Sequence, residues 1–133
     1  MRVWDIPVEQ LCRKHLLGQH NEIHIMYKTI QTGRKAWANH PETKRWRGKE
    51  HALKATHDAT AAEMLRRGYN HKTPLPDAHG INVTQDTFIH TIPEQYQILK
   101  NKGCECDLSV IPWVHRDWTE DDLRNKFPDI IIL

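Results

Sequence analysis

The stretch from Val8 to Gln31, VEQLCRKHLLGQHNEIHIMYKTIQ, decides the fold. Within it Cys12, Leu16, Ile23, Met26 and Ile30 follow one another at spacings of 4, 7, 3 and 4. Those intervals place five apolar side chains on one stripe of a 3.6-residue helix. Pro7 precedes the stretch, where a first helical turn tolerates a missing N–H, and Gly33 follows it as a stop. A long amphipathic helix near the chain start is therefore expected.

Working outward, Ala52, Ala55, Ala59, Ala62 and Leu65 recur at 3, 4, 3 and 3, with Gly68 as terminator. They predict a second helix from about Glu50 to Arg67, whose small stripe suits close packing against the first. Pro74, Pro76 and Gly80 mark residues 70–90 as a long connection. Thr91-Ile92-Pro93-Glu94 has the form of a capping box, so a third helix is expected from there to about Lys102, ended by Gly103. A weaker box at Thr119 and Asp122, with Trp118 and Leu123 as a staple, suggests a short fourth helix before Pro128. The expected fold class is all-α: a compact single domain of three main helices with long connecting loops.

Length agrees, since 133 residues with 38% apolar content suffice for one modest core and are few for two ordinary domains. The longest apolar run, Ile130 to Leu133, is far short of the roughly 20 residues that span a bilayer. No secretory pattern opens the chain, and a cytoplasmic protein that makes no use of membranes is the expectation. Three cysteines, Cys12, Cys104 and Cys106, form an odd set. Cys104-Glu105-Cys106 alone lacks the second half of a zinc-ligand set, so reduced cysteines in a loop are expected. His20 and His24 share a helix face, but the intervening Glu22 does not complete an HExxH arrangement, and no metal is expected.

Charge is unevenly distributed. Residues 1–76 hold 14 Lys/Arg against 7 Asp/Glu, and residues 77–133 hold 5 against 10. The basic part is the candidate polyanion binder. Its densest stretch is TGRKAWANHPETKRWRGK, residues 32–49, where Arg34, Lys35, Lys44, Arg45, Arg47 and Lys49 are opposed by Glu42 alone and interleaved with Trp37 and Trp46. Cations neutralise phosphates, and an indole stacks on an exposed base or wedges into a duplex. Either Trp46 or Trp37 is a candidate wedge.

Two further features concern chemistry. The chain opens MRVWD, and the bulky Arg2 disfavours removal of Met1. An α-amine titrates near 7.7–8.0, so an appreciable fraction is a free nucleophile at neutral pH. In the first helix Glu22 lies one turn beyond Gly18 and seven residues beyond His15. Helical side chains lean toward the N-terminus, so Glu22 covers the patch Gly18 leaves bare, where another backbone has room to approach.

MRVWDIP, LCRKHLLGQHNEIH, NHPETKRWRGK and MLRRGYNHKTPLP together resemble the pyrimidine-dimer DNA glycosylase/apurinic-site lyase family, of the phage endonuclease V type. The resemblance covers residues 1–76 well and extends loosely to Cys106, which divides the chain into a helical core, 1–106, and an acidic extension, 107–133. It implies an N-terminal segment running between helices to reach a glutamate. It also implies Met1 as the amine nucleophile, Glu22 as the catalytic carboxylate, and Arg2 and His15 in the same site. DNA contacts are expected for Asn21, which stands where the phage type has an arginine, and, within the basic and aromatic segment, for Arg34, Lys35, His40, Lys44, Arg45, Trp46, Arg47 and Lys49. The implied partner is double-stranded DNA with damaged bases or abasic sites, acted on by a monomer without metal or organic cofactor. The alternatives are a non-enzymatic DNA-binding accessory protein and a glycosylase of the same chemistry acting on another modified base.

Overall fold

A computed structural model describes residues 2–78, 80–108, 110–111, 121, 124–125 and 131–132. The elements in order are a 3-10 turn at Val8–Gln10, helix α1 at Arg13–Thr32, α2 at Pro41–Trp46, α3 at Glu50–Arg66 and α4 at Ile92–Asn101. A minimal parallel pair, β1 at Val110–Ile111 and β2 at Ile131–Ile132, follows. The all-α expectation holds. Thr119, Asp122 and Leu123, on which the short fourth helix was expected, lie outside the described residues, as do Trp113 and Trp118.

The chain forms two compact units. The first comprises the residues up to Val3 together with Leu16–Ile89. Its core is Val3, Ile23, Met26, Tyr27, Trp46 and Leu53, with Ile30, Ala52, Leu75 and Ala78 packed against it. Side chains from the chain start, α1, α2 and α3 thus meet in one cluster. Val3, from the chain start, is an integral part of that core. Leu16, Ile23 and Met26 of the expected stripe are buried, and Gly33, at φ 68°, closes α1 through a bond from its N–H to the Thr29 carbonyl.

Helix α3 differs from expectation. Its buried residues are Leu53, His57, Thr60, Ala61, Glu63 and Met64, while Ala55, Ala59, Ala62 and Leu65 are exposed. Buried area scales with side-chain size, so Leu53 and Met64 outweigh a row of alanines and turn the helix away from that row. The small helix α2 is also additional to expectation. His40 caps it by accepting the Glu42 N–H at Nδ1, and Pro41 occupies its first turn.

The second unit comprises Trp4–His15 and the chain from His90 onward. Its buried apolar residues are Trp4, Ile6, Leu11, Tyr96 and Leu99. The Asp5 N–H donates to Gln95 Oε1 at 2.8 Å, Gln95 Nε2 donates to Asp5 Oδ2 at 2.9 Å, and the Tyr96 hydroxyl donates to Gln10 Oε1 at 2.6 Å. The Thr91–Glu94 capping box starts α4 as expected, and Gly103, at φ 64°, follows its end. The α-helix begins at Arg13 rather than at residue 8 because Leu11 is extended, which carries its side chain into the interior.

Candidate active site and nucleic-acid surface

The chain start is held in the first unit by two means. Val3 is buried in the core cluster that also holds Ile23, and its carbonyl accepts a 2.9 Å hydrogen bond from Arg45 Nη2. Ile23 is the neighbour of Glu22, so the opening peptide and the Glu22 turn belong to the same packed cluster. Glu22 is half-buried, and among the described residues no hydrogen bond or ion pair engages its carboxylate. One turn earlier Gly18 is exposed, with no described atom within 4 Å of the point where a side chain would project. Arg2 is half-buried, Asn21 is exposed on the adjoining position, and Met1 lies outside the described residues.

The basic segment divides sharply. In α2, Glu42, Thr43, Arg45 and Trp46 are buried. The Glu42 carboxylate takes hydrogen bonds from Arg45 Nε and, at 3.0 Å, from Trp46 Nε1, while Arg45 Nη1 donates to the Thr87 carbonyl at 3.0 Å. Lys49 Nζ is spent on Gln85, Asp86 and Thr87, and Arg47 donates to the Ala38 carbonyl. Arg34, Lys35 and Lys44 remain exposed cations, and no hydrogen bond or ion pair to their side chains occurs among the described residues. Of the two indoles, Trp46 is 2% exposed and Trp37 is 55% exposed. Trp37 also holds a left-handed φ of 64°, which is costly for a bulky residue, and its ring meets His40 edge-on. It borders an open pocket of about 320 Å³ lined by His24, Ile25, Lys28, Thr29, Arg34, Ala36 and Trp37. An indole, two cations and a shallow cavity supply what an unstacked base and its phosphates require.

Two groups of metal-ligating side chains complete the chemistry. In the first unit His20, His24, His57 and His71 bring one ring nitrogen each within 4.8 Å of the others. Burial, aided by His24, His57 and His71, pushes His20 down to about 4. His24 is lowered too, by burial and by His57. Uncharged imidazoles keep lone pairs available. In the second unit Cys12, His15, Cys104 and Cys106 converge in the same way, with His15 Nδ1 at 3.2 Å from Cys12 Sγ and 3.4 Å from Cys106 Sγ. Burial and the neighbouring sulfurs push the Cys106 thiol up to about 12. His15 therefore faces sulfur atoms and the edge of Trp4. Sequence spacing revealed only His20/His24 and Cys104/Cys106; their partners lie tens of residues away, beyond any local pattern.

No described helix is long and apolar enough to cross a membrane. Searches of curated proteins and of solved structures returned no match. Residues 1–77, more than half of the 133, match the family model described as pyrimidine dimer DNA glycosylase. That span contains Arg2, Glu22, the basic segment and Trp37. The chain belongs to the pyrimidine dimer DNA glycosylase family, and so is an enzyme of DNA repair.

Proposed function

We propose that the chain excises a damaged base, a pyrimidine dimer in the first instance, and then cleaves the resulting abasic strand, using the α-amine of Met1 as nucleophile. The amine nitrogen attacks the sugar C1′, the C1′–N bond to the base breaks, and the base leaves with a proton. Transfer of a proton from the alkylated amine to O4′, as the C1′–O4′ bond opens, gives a protonated imine between Met1 and C1′ and leaves O4′ as a hydroxyl. Glu22, as carboxylate, first balances the positive charge that develops on the sugar and then takes a proton from C2′. The C3′–O3′ bond breaks, the 3′ phosphate departs, and water releases the enzyme. Arg2 holds the sugar-phosphate, while Arg34, Lys35 and Lys44 take the backbone. Trp37 fills or props open the space of the extruded nucleotide, at a cost of a few kcal/mol that a damaged site reduces. His15 has no step in this reading.

The observation that carries it is the half-buried Glu22 carboxylate, without a described polar partner, on the helix turn whose Ile23 belongs to the same buried cluster as Val3. Two residues separate Val3 from the terminal amine. Borohydride reduction during reaction is the test: a covalent protein–DNA product is expected with dimer-containing and abasic duplexes. An uncleaved N-terminal extension is expected to abolish it, whereas Lys14→Ala leaves it intact. Glu22→Gln is expected to lower turnover by about 100-fold or more while DNA binding persists. Trapping by the extended protein overturns the amine assignment, and binding without any trapping would make the chain an accessory DNA binder.

A further inference from the structure

We infer that the chain binds two zinc-type metal ions, one held by Cys12, His15, Cys104 and Cys106, the other by His20, His24, His57 and His71. The two sites rest on different observations, and neither takes part in the proposed imine chemistry.

For the first, the donor set is the argument. Three thiols and one imidazole form a Cys3His set, a common structural zinc arrangement. Zinc bonds of about 2.3 Å to sulfur and about 2.0–2.1 Å to nitrogen put neighbouring S and N ligands of a tetrahedron about 3.6 Å apart. His15 Nδ1 lies 3.2 and 3.4 Å from two of the sulfurs, and all four ligand atoms fall within 4.8 Å of one another. The Cys12 N–H points at Cys106 Sγ at 3.1 Å, a bond that steadies a thiolate. A disulfide would use two of the sulfurs and leave the third beside the imidazole; a metal uses all four groups. The bound ion would tie the start of α1 to the loop after α4, with Cys12 and Cys106 94 positions apart in the chain.

For the second, the argument is an unmet hydrogen-bond demand. His57 is 1% exposed, and its Nδ1 lies 2.9 Å from Asp58 Oδ1, which leaves Nε2 to face inward. That atom is 3.1 Å from His24 Nε2, so one N–H satisfies this pair. His20 Nε2 and His71 Nε2 are also buried, and neither has a hydrogen-bond partner among the described residues. Buried polar atoms without partners are rare. One cation satisfies all four nitrogens at once, and the Asp58–His57 contact is the usual outer support of a metal-bound imidazole. Adjacent nitrogens on a tetrahedral zinc sit about 3.3 Å apart, close to the His24–His57 separation.

The test uses the full chain without a polyhistidine tag, purified in the absence of chelator, with zinc measured per chain by mass spectrometry. About two zinc ions per chain are expected in the wild type. Cys104→Ser/Cys106→Ser and His57→Gln/His71→Gln are each expected to retain about one. Cobalt loading of the wild type separates the sites without any mutation. Two equivalents are expected to bind, the thiolate site giving an intense near-ultraviolet sulfur-to-cobalt band and the histidine site only weaker visible bands. Absence of that band, or an intact mass lower by one disulfide, overturns the first site. Saturation at one equivalent with the band present overturns the second, and fewer than about 0.2 ions per chain after loading with either metal overturns both.

Discussion

The loop around Trp37 and the helix around Trp46 are adjacent, equally basic and equally aromatic, yet they fold to opposite ends. In α2 the arginine, the indole and the opposing carboxylate turn inward. Arg45 and Glu42 side chains are each 4% exposed and paired with one another, and Arg45 Cζ lies 4.9 Å from the Trp46 ring centroid. In the loop, Arg34 and Lys35 face solvent and Trp37 is held exposed in a left-handed backbone. The difference follows from Glu42. A buried cation requires a buried anion and further acceptors, and α2 has Glu42 together with the Val3 and Thr87 carbonyls. Residues 33–39 contain no acid, so their cations stay in water. Composition alone marks both as candidate DNA-binding segments; charge pairing makes one a pillar of the core and leaves the other exposed to solvent.

That contrast can be broken at its strongest point first. Removing the anion in Glu42→Ala leaves Arg45 buried without its counter-charge, and Trp46→Ala empties a core position. Each is expected to cost about 3–5 kcal/mol in urea unfolding. A loss below about 1 kcal/mol in both would return α2 to the surface. The loop gives the reverse pattern. Trp37→Gly is expected to weaken binding to lesion-containing duplex about tenfold, roughly 1.4 kcal/mol, through lost stacking. It should leave stability unchanged or raise it by up to about 1 kcal/mol, because glycine relieves the left-handed strain. Weakened folding with unaltered binding would reverse the assignment of the two indoles. The smallest effect sharpens the cation side: Arg34→Ala with Lys35→Ala is expected to reduce the slope of log binding constant against log salt by about 2, at little cost to stability. An unchanged slope would remove these two from the phosphate contacts.

Much of this was legible residue by residue. The spacing of Leu16, Ile23 and Met26, the capping box at Thr91 and the stops at Gly33, Gly68 and Gly103 all operate within a few residues, and the helices they delimit appear close to where they are expected. The Ala52–Leu65 stripe misled because counting apolar positions ignores their size. Glu22, Gly18 and the opening peptide were legible as candidates. That Val3 and Ile23 share one buried cluster was not legible from spacing, because some 20 residues lie between them.

Local pattern was enough for the helical class, the cationic segment and, through the resemblance of four short motifs, the glycosylase family. Each is carried by neighbours along the chain, where bonding geometry transmits the information directly. Three things needed the folded chain: which indole is core, which cations are already spent, and how Cys12 with His15 meets Cys104 with Cys106 while four histidines from three segments share one centre. Burial and ligation depend on distances in space, and sequence separations of 33 to 94 residues hold no trace of them until packing closes the gaps.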